Sequence, residues 1–114
     1  MMDRISAAAM IPKNYNYADT FYDNLQELIS DYQKELAKDE QLSLRYFFPS
    51  GETISIDDIG YYNPSVVIFH GTTNAGDECH ILAHMNSVQL LVTISKAGSG
   101  VKRKQIGFTG SRES

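Results

Sequence analysis

An α+β domain, with one long N-terminal amphipathic helix packed on an antiparallel meander sheet of five or six strands, is the architecture expected of this 114-residue chain. Two changes of period carry that expectation. From Tyr17 to Lys38 the apolar residues recur every three or four positions; after Gln41 they alternate. Antiparallel sheets with one covered face read in this alternating way, and a single helix ahead of consecutive strands places the helix on that face.

The helix rests on Tyr17, Phe21, Leu25, Leu28, Ile29, Tyr32 and Leu36, with Tyr22 at the border. At 100° per residue these fall within an arc of about 140° and leave most of the charge opposite. Asn16 is placed to cap the start, with Asp19 three residues on as a variant capping box. The end is expected near residues 38–40, where the period changes.

The strands follow in order. Leu42, Leu44, Tyr46 and Phe48 alternate with Ser43, Arg45 and Phe47, and Pro49-Ser50-Gly51 supplies a turn before Glu52–Ile56, which together predict a hairpin. Residues 64–72 hold Val66, Val67, Ile68 and Phe69, apolar on both faces, as a central strand would be. Asn74–Asp77 is the next turn, residues 78–85 and 88–95 are two further strands, and residues 104–109 are a short edge strand. The domain is expected to span 16–109, between a flexible arm (1–15) and a disordered tail (110–114).

Composition bounds the function. At 42% apolar and 21% charged the chain suits one compact domain with a modest core. The lone Cys79 excludes an intrachain disulfide and points to a reducing compartment, and the run before Pro12 is too short for a signal peptide or membrane span, so a cytoplasmic protein without membrane attachment is expected. The net charge of −4 is uneven: residues 1–60 carry eleven acids and five bases, residues 61–114 three acids and five bases. That balance disfavours direct nucleic-acid binding and suits a partner protein with a basic surface.

The acids are patterned. Asp19, Asp23, Glu27, Asp31, Glu35 and Asp39 stand at an unbroken spacing of four. Like charges so placed on a helix repel by roughly 0.2–0.5 kcal/mol per pair, about 1–2.5 kcal/mol over five pairs. Asp19 sits where the helix dipole favours negative charge, and Lys34 and Lys38 accompany the far end, so Asp23 and Glu27 are the least compensated pair. Either the row is a solvated face, or it meets a partner.

No catalytic motif is present and a non-enzymatic protein is expected. His70, His80, His84 and Cys79 include favoured zinc ligands, but on a strand His80 and His84 stand roughly 13 Å apart, too far to share a metal with bonds near 2 Å. Neighbouring strand residues point to opposite faces, so His80 cannot easily serve Cys79 as a base. No metal or cofactor is therefore expected. Gly98-Ser99-Gly100-Val101-Lys102-Arg103-Lys104 lacks the phosphate-loop pattern and reads as a charged loop, although it could hold a nucleotide with Tyr61 and Tyr62 as stacking rings. Asp57–Ser65 reads as a connection, with Gly60 permitting a turn, Pro64 keeping Asn63 out of the helical region, and two tyrosines able to face an interface.

The segment Ile-Ser-Ile-Asp-Asp-Ile-Gly-Tyr-Tyr-Asn-Pro-Ser, followed by an apolar strand ending in Phe-His-Gly and by Ile-Gly-Phe at 106–108, resembles a family of small proteins of bacterial genomes and prophages that has no assigned active site. The resemblance covers about residues 17–109; Cys79 and the basic run have no counterpart in it. It implies a small protein of a mobile genetic element, acting by stoichiometric binding. The leading expectation is an inhibitor of a host defence effector, anti-CRISPR-like, with a homodimer as one option for its assembly, binding a nucleic-acid-guided effector through Asp19, Asp23, Glu27, Asp31, Asp57, Asp58, Tyr61, Tyr62 and Asn63. The alternatives are an oligomeric sponge for a nucleotide immune signal, using Tyr61, Tyr62, Lys102, Arg103 and Lys104, and a structural or assembly protein.

Overall fold

The computed structural model describes residues 17–97 and 104–112. Helix α1 (Ala18–Lys34) is followed by β1 (Glu40–Phe47), β2 (Thr53–Tyr62), β3 (Val66–Thr72), β4 (Glu78–His84), a 3-10 turn (Met85–Ser87), β5 (Leu90–Lys96) and β6 (Gly107–Ser111). One helix on a six-stranded sheet is the α+β arrangement expected.

The start of α1 differs from the sequence reading. The cap position is Tyr17, in extended conformation and with no side-chain capping bond, while Asn16 lies outside the described residues. The open amides are satisfied from elsewhere. Ala18 N–H donates to the Pro64 carbonyl at 2.7 Å, Asp19 N–H to Asn63 Oδ1 at 3.0 Å, and Thr20 N–H to Asp19 Oδ1 at 2.7 Å. At the other end the helix stops at Lys34, short of residue 38. Glu40 Oε1 accepts the Ala37 N–H at 2.8 Å and Glu40 N–H returns to the Ala37 carbonyl at 3.0 Å, a turn that diverts the chain into β1.

Strands β1 to β4 form the expected antiparallel meander, with turns at Gly51 and Gly76, both at positive φ. The last two strands leave that path. The sheet order is β4-β3-β2-β1-β5, so the chain crosses from one edge to the other after the 3-10 turn, on the core side, where Met85 is buried and Tyr46 Oη donates to the Ser87 carbonyl at 3.4 Å. Strand β6 pairs in parallel with β2 at Asp58–Tyr61.

The room for β6 comes from β2. Strand β1 runs along β5 from Glu40 to Tyr46 and pairs with β2 only at Arg45–Phe47, while a bulge between Ile56 and Asp58 bends β2 away. Asp57–Tyr62, read from sequence as a connection, is therefore the second half of a ten-residue strand paired on both sides. Gly110 and Ser111, assigned from sequence to a tail, belong to β6, and Arg112 N–H donates to the Tyr61 carbonyl at 2.9 Å. The predicted arm, residues 1–15, lies outside the described residues.

The core lies between α1 and one sheet face. Ile29 from the helix meets Leu44, Ile56, Ile59, Val67 and Phe69, all fully buried. Burying each of these side chains contributes on the order of 1.5–3 kcal/mol. Strand β3 is internal, as its two-sided apolar character predicts: Val67 and Phe69 enter the core, while Ile68 is covered on the opposite face. Beside the core, Tyr22 packs against Tyr61 with ring centres 4.8 Å apart and planes tilted by 53°, and meets Phe108 edge-on at 5.6 Å.

Candidate functional site

The acidic row divides into three parts. Asp19 is half-buried and its carboxylate is committed to Thr20. Asp39, beyond the helix, pairs with Lys96 at 3.1 Å. Asp23, Glu27, Asp31 and Glu35 are exposed and form no ion pair among the described residues. Lys34 stands in the last turn of the helix, but neither it nor Lys38 forms a direct ion pair with these acids among the described residues, so four acids, not only the middle two, lack a paired cation.

These acids do not stand alone. Leu28 is 53% exposed and Tyr32 40% exposed, and with Asp31 and Glu35 they line a shallow hollow of about 220 Å³. The sheet covers only part of the apolar stripe of α1: Tyr22 and Ile29 are buried, Phe21, Leu25 and Leu36 pack partly, and Leu28 and Tyr32 remain exposed. An exposed tyrosine and leucine bordered by carboxylates match the apolar centre and polar rim of protein contacts, in which tyrosine is enriched.

The second half of the predicted contact surface is used for folding. Asp57, at the bulge, accepts from Thr72 Oγ1 at 3.2 Å and pairs with the Lys104 ammonium. Tyr61 is half-buried against Tyr22, and Asn63 caps the helix. Alternation along β2 puts Asp58 and Tyr62 on the sheet face away from α1, where Tyr62 is 50% exposed. Of the nine proposed contact residues, Asp23, Glu27 and Asp31 lie exposed together on α1, while Asp58 and Tyr62 lie on the other side of the sheet.

The nucleotide site fares no better. Tyr61 is packed and Lys104 is engaged by Asp57, while Lys102 and Arg103 lie outside the described residues. Among the described residues, hollows of about 160, 220 and 240 Å³ are smaller than the roughly 300–1,000 Å³ usual for small-molecule pockets.

The histidines are arranged in a way the sequence reading missed. Cys79, half-buried, shares the inward side of β4 with Ile81 and Ala83, so His80 does point away from it. His84 Nδ1 accepts the Asn86 N–H at 3.1 Å and caps the 3-10 turn. His70 and His80, however, are direct cross-strand partners, with Nδ1 atoms 2.7 Å apart. A signal for this existed: a turn centred on residue 75 pairs positions that sum to 150, which sets His70 opposite His80.

Among titratable groups Tyr22 is shifted. Burial raises its pKa above the ordinary 10.0; the Gly110 N–H donated to its hydroxyl opposes this, while Tyr61 and Asp23 add to it. Among the described residues no helix is long and apolar enough to cross a membrane. Comparison with protein-family models, with curated proteins and with solved structures returned no match.

Proposed function

We propose that the chain is a non-enzymatic, stoichiometric protein-binding module whose contact surface is the outward face of α1. The observation that supports this is the juxtaposition of exposed Leu28 and Tyr32 with Asp31 and Glu35, continued along the helix by exposed Glu27 and Asp23, these four acids forming no ion pair among the described residues. The acids would steer a basic partner and speed encounter, and the apolar pair would slow dissociation once desolvated. The resemblance to prophage proteins suggests the partner class: a host defence effector, with the protein acting as an inhibitor in the host cytoplasm. Effectors guided by nucleic acid hold it in positively charged channels, and a row of carboxylates suits such a channel.

The test is kinetic. Asp23→Lys combined with Glu27→Lys should slow association with the cognate effector at least tenfold at low salt, with the difference shrinking as salt rises. Leu28→Ser should mainly speed dissociation. Unchanged binding of both variants to every effector that the parent binds sinks the reading.

A further inference from the structure

We propose that His70 and His80 form a two-histidine site for a divalent transition-metal ion on the sheet face turned away from α1, with Glu78 as the positioning residue for the His80 ring. This is independent of the helix-face reading and uses the opposite side of the molecule.

The two residues oppose each other on β3 and β4, their ring centres 4.9 Å apart and ring planes at 79°. With Nδ1 atoms at 2.7 Å, one ring donates an N–H and the other accepts. Glu78 assigns the roles. Its Oε2 lies 3.0 Å from His80 Nε2, so the Nε2 proton of His80 points at the carboxylate and Nδ1 presents a lone pair. A carboxylate on the far nitrogen of a ligand histidine is the usual outer partner in metal sites, where it holds the tautomer and raises the basicity of the ligating nitrogen. His70 completes the pair by carrying its proton on Nε2 in place of Nδ1, so that both Nδ1 lone pairs can face one ion.

Spacing ranks the metals. With metal–nitrogen bonds of about 2.0–2.1 Å, two nitrogens at a right angle sit roughly 2.9 Å apart, and at the tetrahedral angle roughly 3.3 Å. The right-angled arrangement needs the pair to open by only about 0.2 Å, together with a swing of the rings from head-on to convergent. Half the His80 side chain is exposed, which leaves it room for that swing. Square-planar or octahedral Cu²⁺ and Ni²⁺ thus fit better than tetrahedral Zn²⁺, in the direction that intrinsic affinity also favours. Among the described residues no cluster of three or more metal-ligating side chains is present, so water fills the remaining positions. Arg112 shares the hollow of about 240 Å³ with both histidines, and its charge opposes the ion while that of Glu78 favours it.

The experiment is calorimetric titration of the untagged full chain with CuCl₂, NiCl₂ and ZnCl₂, each variant first checked for its fold by circular dichroism. One Cu²⁺ or Ni²⁺ per chain should bind through this pair, more tightly than Zn²⁺. His70→Gln and His80→Gln should each weaken binding at least tenfold, Glu78→Gln by about 10–100-fold, and Arg112→Gln should tighten it. His84→Gln, which removes a histidine pointing from the same strand without touching the pair, should leave it unchanged. A folded His70→Gln/His80→Gln double variant that binds Cu²⁺ and Ni²⁺ like the parent overturns the proposal, as does an equal loss on His84→Gln.

Discussion

Asn63 Oδ1 accepts the backbone N–H of Asp19 at 3.0 Å, so the start of α1 is capped by a residue 44 positions further along the chain. Asn63→Ala should therefore destabilise the fold by about 1 kcal/mol, within the range of roughly 0.5–2 kcal/mol for lost N-caps. In thermal unfolding this is a fall in Tm of about 4–8 °C. Asn63→Asp keeps an acceptor where the helix dipole favours negative charge and should retain most of the stability. Equal Tm values for Asn63→Ala and the parent would show that the cap contributes nothing.

Gly71 and Gly107 should respond differently to a methyl group. A Cβ at Gly71 overlaps the Ser55 carbonyl of β2, a backbone atom held in the sheet, and also presses on the Ile54 side chain. At Gly107 the obstacle is the carboxylate of Asp58, a side chain free to rotate away. Gly71→Ala is expected to cost about 1–3 kcal/mol or more, as overpacked interiors do, and Gly107→Ala clearly less. Denaturant midpoints of the two variants decide it; the reverse order would contradict the pairing of β2 with β3.

Tyr22 makes stability fall at high pH. Its folded pKa is raised, chiefly by burial, so above pH 10 the folded state binds more protons than the unfolded one. The stability tied to the neutral phenol is complete below the ordinary pKa and is lost as pH climbs through the raised one. Tyr22→Phe should flatten that alkaline decline while lowering stability near neutrality by about 0.5–1.5 kcal/mol, because the Gly110 N–H loses its acceptor. Chemical denaturation across pH 7–11 measures both effects, and an unchanged alkaline slope would assign it to other groups.

Much of the architecture was legible because period reports which side of an element is covered. The stripe from Phe21 to Ile29 needs a wall to pack on, and the run Val66–Phe69 needs cover on two faces; both requirements are local and both are met. Asp57–Ser65 was misread for a physical reason. Gly60, Asn63 and Pro64 carry turn chemistry, yet Gly60 serves close approach, since a Cβ there would press on Thr109 Oγ1 at 2.8 Å. The turn itself comes later, at the cis peptide bond between Asn63 and Pro64. The candidate surface was half legible: spacing found Asp23, Glu27 and Asp31, but no helical projection could tell that Leu28 and Tyr32 stay exposed.

By itself the sequence determined one amphipathic helix, the alternating strands, the two-sided centre of β3 and the opposed directions of Cys79 and His80. Each follows from a dihedral period or a turn residue within a few positions. Only the tertiary structure decided which acids are spent and which are open, that β6 enters parallel beside β2, and that His70 meets His80. Those outcomes depend on contacts between residues far apart in the chain, where burial and pairing geometry outweigh any local preference.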